Sequence, residues 1–220
     1  MALQPSVRSG LETILIDMVE ATPETLEGYG KLIDDPADCD IEIVVWPAQG
    51  RRAVDSGTGN AGGTTEGVFR FWWEEGVFKG ENEAVSDNYI LGWSHPPGAS
   101  EPRQNEPRES AYMWHANYHP DGGQLFFPLD KTAFVAPLAL PGDDVRPESF
   151  TAFYCDGSQG LYIHPKVWHE ALFLFDDSGR FFDKQSKVHA RISVDFPQEF
   201  GCLLEVPLVI PWSLLSRPEG

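Results

Sequence analysis

The sequence predicts an all-β chain folded as a barrel or sandwich, and three observations predict it. Its 18 prolines and 21 glycines lie scattered among short apolar runs, a pattern that favours many strands and turns over long helices. The apolar runs have strand length: Ile41 to Trp46, Val68 to Trp73, Tyr89 to Trp93, Gln124 to Leu129, Thr132 to Leu140, Phe150 to Cys155, Gly160 to Ile163, Ala171 to Phe175 and Arg191 to Phe196. Turn-forming pairs such as Asp130-Lys131, Pro141-Gly142 and Asp156-Gly157 separate them, as antiparallel hairpins require.

The one helix expected is short and N-terminal, from Thr22 to Asp34. Thr22 is placed to cap it, Pro23 suits its first turn, and Leu26, Tyr29, Leu32 and Ile33 recur at helical spacing. Asp35-Pro36 then ends it. A length of 220 residues suits one buried core, so 1–220 is read as a single domain. Two stretches look irregular, 48–66 (rich in Gly and Thr) and 95–110 (rich in Pro, Glu and Arg), and read as solvent loops or as pieces closing over a pocket mouth.

With 34 acidic against 16 basic side chains the formal charge is −18, which repels phosphate backbones and anionic membrane faces. No nucleic acid or membrane partner is expected. A small carboxylate substrate would approach against the bulk field, so an arginine or a metal should stand in its pocket. Cys39, Cys155 and Cys202 are odd in number and widely spaced, which indicates neither a disulfide framework nor a zinc knot. The N-terminal stretch has no cationic segment leading into an apolar block, and no run reaches membrane-spanning length. A cytoplasmic setting is expected.

Four of the six histidines fall in two neighbourhoods. The first is Trp114-His115-Ala116-Asn117-Tyr118-His119-Pro120-Asp121-Gly122-Gly123-Gln124, followed by LFFPL; the second is Gly160 to Glu170, containing His164, Lys166, Trp168 and His169 and leading into ALFLF. Each resembles one of the two motifs of metal-binding cupins, in which strand alternation and a turn aim ligands at one point inside a barrel. His119 and Gln124 keep the second half of the first motif, while Asn117 stands where its first histidine would be. His169 would then face His119. Each histidine also has a plain reading as a hydrogen-bonded core or surface residue, and His95 and His189 are read as surface residues.

The order GYGKLID, HPDGGQLFFPL, FVAPLALPGDD, FYCDGSQGLYIHPKVWHEALF and ISVDF resembles the ureidoglycolate lyase family, also called ureidoglycolate hydrolases, from about Tyr29 to Asp195. The resemblance implies a cupin-type β-barrel, jelly-roll-like, acting as a carbon–nitrogen lyase of the amidine-lyase type that splits ureidoglycolate into glyoxylate and urea in allantoin and purine catabolism. It implies a homodimer and a divalent metal (nickel, manganese or zinc), with no nucleotide or redox cofactor. On this reading His119, Gln124 and His169 hold the metal, and His164, His169 and Lys166 are catalytic. Arg70, Gln124, Tyr162 and Trp168 bind substrate. Lys166 has the alternative of an exposed turn residue, and Trp168 and Tyr162 that of plain core. The chain is longer than typical members around GGTTEGVFRFWWEEG and SHPPGASEPRQNEPRES, so a same-fold enzyme for another ureido, amide or keto acid, or a non-catalytic binding module, are the alternatives.

Overall fold

Alternation along each strand divides the side chains between an inner and an outer face, and that division organises two large sheets. The computed structural model describes residues 7–44, 50–59, 62–98, 107–187 and 190–215. One sheet has ten strands, in the order Glu12–Leu15, Cys202–Pro207, Ser110–Met113, Asp87–Trp93, Val77–Asn82, Thr64–Glu74, Ser178–Ser186, Gln124–Pro128, Gly160–Ile163 and Gly30–Ile33. The other runs Ile192–Asp195, His115–Tyr118, Trp168–His169, Phe134–Ala139, Thr151–Cys155 and Met18–Glu20, with Phe173–Leu174 also paired to Phe134–Ala139. Pairing is antiparallel except where Glu12–Leu15 meets Cys202–Pro207 and Met18–Glu20 meets Thr151–Cys155. Each sheet keeps two open ends and does not close into a barrel.

The main apolar cluster draws on both sheets. Thr64–Glu74 sends Phe69 and Phe71 inward and leaves Arg70 between them exposed. Phe71 stacks on Phe69 at 4.2 Å and meets Phe181 edge-on at 5.5 Å, and Phe78 lies 5.4 Å from Phe173. These rings exclude water along one flank of the inner face. All three cysteines are buried and free.

The expected helix at Thr22–Asp34 is not formed. The Leu26 and Gly30 N–H groups do donate to the Thr22 and Leu26 carbonyls, but Gly28 sits at φ +83° and ends the turn. Gly30–Ile33 then pairs as a strand with Gly160–Ile163, so the helix-like spacing of Tyr29, Leu32 and Ile33 is taken up by a turn and a strand. Sheet hydrogen bonds over four residues outweigh a weak local propensity. Asp35-Pro36 begins a 3₁₀ turn, Pro36–Asp38, capped by the Asp35 carboxylate on the Ala37 N–H.

Several strands differ in extent. Of Ile41 to Trp46 only an isolated bridge from Ile43 to Gly122 is formed within the described residues, and of Ala171 to Phe175 only Phe173–Leu174. The irregular stretches at 48–66 and 95–110 lie partly outside the described residues. Thr64 to Glu66, however, open the long strand, and Ser110 opens another. Strands at Val77–Asn82, His115–Tyr118, Ser178–Ser186 and Cys202–Pro207 were not expected, because charged and polar residues interrupt their apolar pattern.

Candidate active site

The site begins with a strand whose inner face changes character along its length. In Ser178–Ser186 the alternating inward residues are Gly179, Phe181, Asp183 and Gln185, so the row passes from aromatic packing to a fully buried carboxylate and a carboxamide. Register places Gln185 opposite Gln124 on the neighbouring strand. Asp183 accepts from Gln124 Nε2 at 2.6 Å, Asn82 Nδ2 at 3.0 Å and Gln185 Nε2 at 2.7 Å. These three N–H groups favour the carboxylate, but burial outweighs them and pushes the Asp183 pKa up to about 6.

That shift has a measurable consequence. Folding raises the Asp183 pKa from its ordinary 3.8 to about 6, so between those values the folded chain holds more protons than the unfolded one. Its contribution to stability is therefore present at low pH and is lost as pH rises through about 6. The loss is about 3 kcal/mol. Urea denaturation of the native chain and of Asp183→Asn, from pH 4 to 7, should show the variant gaining about that much relative to the native chain. A gap that does not vary with pH would show an unperturbed carboxyl.

Gln124, held by Asp183, presents Oε1 to His169 Nε2 at 3.2 Å, while His169 Nδ1 donates to the Val167 carbonyl at 2.8 Å. Burial pushes the His169 pKa down, towards a neutral ring. The His119 and His169 rings lie 5.1 Å apart between centroids, so the two motif histidines do face each other. The turn before Gln124 is tight: a Cβ on Gly123 would stand 2.2 Å from the Tyr162 hydroxyl, which only glycine avoids.

On the opposing sheet, His115 and Asn117 alternate onto one face of His115–Tyr118. Asn117 lies in register with His169. His115 Nδ1 donates to Glu170 Oε2 at 2.6 Å, and both side chains are buried. The carboxylate fixes the ring and its tautomer, leaving Nε2 without a partner in the protein. A cleft lies between these groups, lined by His115, Asn117, His119, Gln124, His169 and Glu170, with Gln185, Asn82 and Arg191 at its polar side and Phe69, Tyr89 and Phe126 at its apolar side. Arg191 donates from Nε to Asp55 at 2.9 Å.

The structure thus brings together His119, Gln124 and His169 and sets the other predicted site residues elsewhere. His164 is half-exposed, 4.0 Å from Glu42, and does not line the cleft. Lys166 takes a positive φ of 70° in the turn, where its N–H donates to the His119 carbonyl. Tyr162 is buried behind that turn, its hydroxyl accepting from the Glu42 N–H. Trp168 is wholly buried, with its indole N–H on the Gly142 carbonyl. Arg70 pairs on the outer face with Glu83 at 2.7 Å. His95 hydrogen-bonds Ser94, and His189 lies outside the described residues.

Sequence reasoning missed His115, Glu170, Asp183, Gln185 and Arg191. His115 and Glu170 stand inside the two motif neighbourhoods and could have been noted as a His and a Glu on inward strand ends. Asp183 and Gln185 carried the signal of alternation with Phe181, hidden because the strand was not recognised.

The predicted set of His119, Gln124 and His169 supplies two imidazoles and one carboxamide oxygen, a weak donor set for a divalent ion. The Nδ1 atoms of His119 and His169 each face a backbone carbonyl, Ala190 at 3.2 Å and Val167 at 2.8 Å, and the Gln124 oxygen lies 3.2 Å from His169 Nε2. Among the described residues no three His, Cys, Asp or Glu side chains are grouped to ligate a metal. No helix among them is long and apolar enough to cross a membrane.

Residues 104–193 match the family model described as ureidoglycolate lyase. A ureidoglycolate lyase of Burkholderia cepacia is 30% identical over 100 residues, covering 46% of this chain and 51% of the relative. One of Azotobacter vinelandii is 43% identical over 60 residues, covering 27% and 36%, and one of Salmonella enteritidis 42% over 55 residues, covering 25% and 34%. The chain therefore spans about a third to a half of the length of the curated relatives it matches. The matched segment carries both sides of the cleft, from His115 and Asn117 through His169 and Glu170 to Gln185 and Arg191. Through this segment the chain is similar to the ureidoglycolate lyase family.

Proposed function

We propose that the chain is a carbon–nitrogen lyase that splits ureidoglycolate into glyoxylate and urea, on a cupin-type, jelly-roll-like framework formed by its two facing sheets. The observation that carries this reading is His115, an imidazole held by the Glu170 carboxylate with Nε2 unpartnered, in a cleft that the matched segment lines in greater part.

The substrate carries a hydroxyl and a urea nitrogen on one carbon. His115 Nε2 takes the hydroxyl proton, the C=O bond of glyoxylate forms as the C–N bond breaks, and the same imidazolium returns the proton to the departing nitrogen, giving neutral urea. No water, oxidant or reductant is consumed. Glu170 keeps the ring in the required tautomer and stabilises its charged form. His169, its Nδ1–H on the Val167 carbonyl and its ring pushed towards neutral by burial, shapes the wall. Arg191, the sole guanidinium or ammonium among the described lining residues, supplies the cation that a carboxylate needs against a net charge of −18. Proton transfer thus passes from His164 to His115, and carboxylate binding from Arg70 and Lys166 to Arg191. No step is routed through a metal. A homodimer and a cytoplasmic setting belong to the same proposal.

The test is a coupled assay for glyoxylate and urea from racemic ureidoglycolate, run with and without chelator. Equal release of both products without ammonia is expected. Absence of release from the folded chain under every condition would overturn the lyase reading.

A further inference from the structure

Among the described residues four buried side-chain polar atoms lack a hydrogen-bond partner, and three of them belong to residues lining this cleft: His115 Nε2, Asn117 Oδ1 and Gln185 Oε1. His115 serves the proton transfer proposed above. The other two are carboxamide oxygens, which only accept. The orientation of Gln185 is dictated by Asp183: its Nε2 must face the carboxylate at 2.7 Å, so its oxygen is left over. Asn117 and Gln185 come from opposite sheets and are more than nine-tenths buried. A buried acceptor without a donor is costly, and two flanking one cleft define what a bound molecule must bring.

We propose that Asn117 Oδ1 and Gln185 Oε1 form a subsite that reads the N–H groups of a ureido head, making the cleft selective for ureido acids over keto acids of the same shape. The inference rests on the preceding reading for the ligand's being a small acid. Two acceptor oxygens repel a carboxylate, so the acid end points to Arg191 and the ureido end to the carboxamides, which also orients the reacting carbon. A ligand with methyl and methylene in place of NH₂ and NH fills the same space and leaves both oxygens unpaired.

Such a pair exists in N-carbamoylglycine and levulinate, neither of which carries the hydroxyl needed for cleavage. Calorimetric titration of the full chain should give N-carbamoylglycine at least about tenfold tighter binding than levulinate. Asn117→Leu should shrink that ratio several-fold, whereas Asn117→Asp, which keeps an acceptor oxygen there, should retain it. Equal affinities in the native chain, or binding of neither compound, would overturn the subsite. The two readings fail separately: a retained ratio without ureidoglycolate turnover removes the lyase reading alone, and turnover with a ratio near one removes the subsite alone.

Discussion

Replacing His115 with asparagine should lower kcat on ureidoglycolate by about 10²–10⁴-fold, the usual contribution of a positioned acid–base group. The asparagine carboxamide can still donate to Glu170, so the buried carboxylate keeps a partner and the fold should melt close to the native temperature. What it lacks is a lone pair that can accept and return a proton. KM should change little, because the carboxylate and ureido contacts lie on Arg191 and the carboxamides. His115→Ala should lose the same activity and also stability, since Glu170 Oε2 would then be buried without its donor. Steady-state kinetics and thermal melts of both variants separate the two effects. If His115→Asn kept kcat within about threefold, a proton-transfer role for this ring would be wrong.

Trp168→Ala should destabilise the chain by about 3–5 kcal/mol. At this chain length that is a fall in Tm of roughly 10 °C. Trp168 is fully buried, donates to the Gly142 carbonyl at 2.8 Å, meets the Tyr118 ring edge-on at 4.7 Å and lies under the Arg52 guanidinium at 5.4 Å. Arg52 is itself tied to Glu199 at 2.7 Å, so removing the indole unsettles an ion pair as well as leaving a cavity. None of these contacts faces the cleft. KM measured well below the melting transition should be close to native, which differential scanning fluorimetry and initial rates would establish together. A raised KM with an unchanged Tm would make Trp168 a wall of the substrate site.

How much of the site could be read beforehand depended on whether its parts lay within one stretch of chain. His119 and Gln124 are joined by a single turn, and His169 ends the second motif, so their convergence followed from alternation plus two turns, and the rings do meet at 5.1 Å. His164, Lys166 and Trp168 stand in that same second stretch, yet they diverge. Trp168 and His169 are adjacent on a strand and must point to opposite faces, so placing His169 toward the cleft places Trp168 away from it. Arg70 lies between inward Phe69 and Phe71 and is excluded by the same rule.

The sequence by itself determined the all-β class, through turn residues and short alternating runs, and it determined the pairing of two histidine motifs, because both are local properties of the backbone. Only the tertiary structure decided that His115 and not His164 has a place in the cleft, that Thr22 to Asp34 yields a turn and a strand, and that Asp183 anchors Gln124. Those outcomes depend on register between strands some sixty residues apart, as for Gln124 and Asp183, and on burial, which moves a carboxyl's pKa to about 6. Neither register nor desolvation is written in the neighbours of a residue; both arise when separate segments exclude water together.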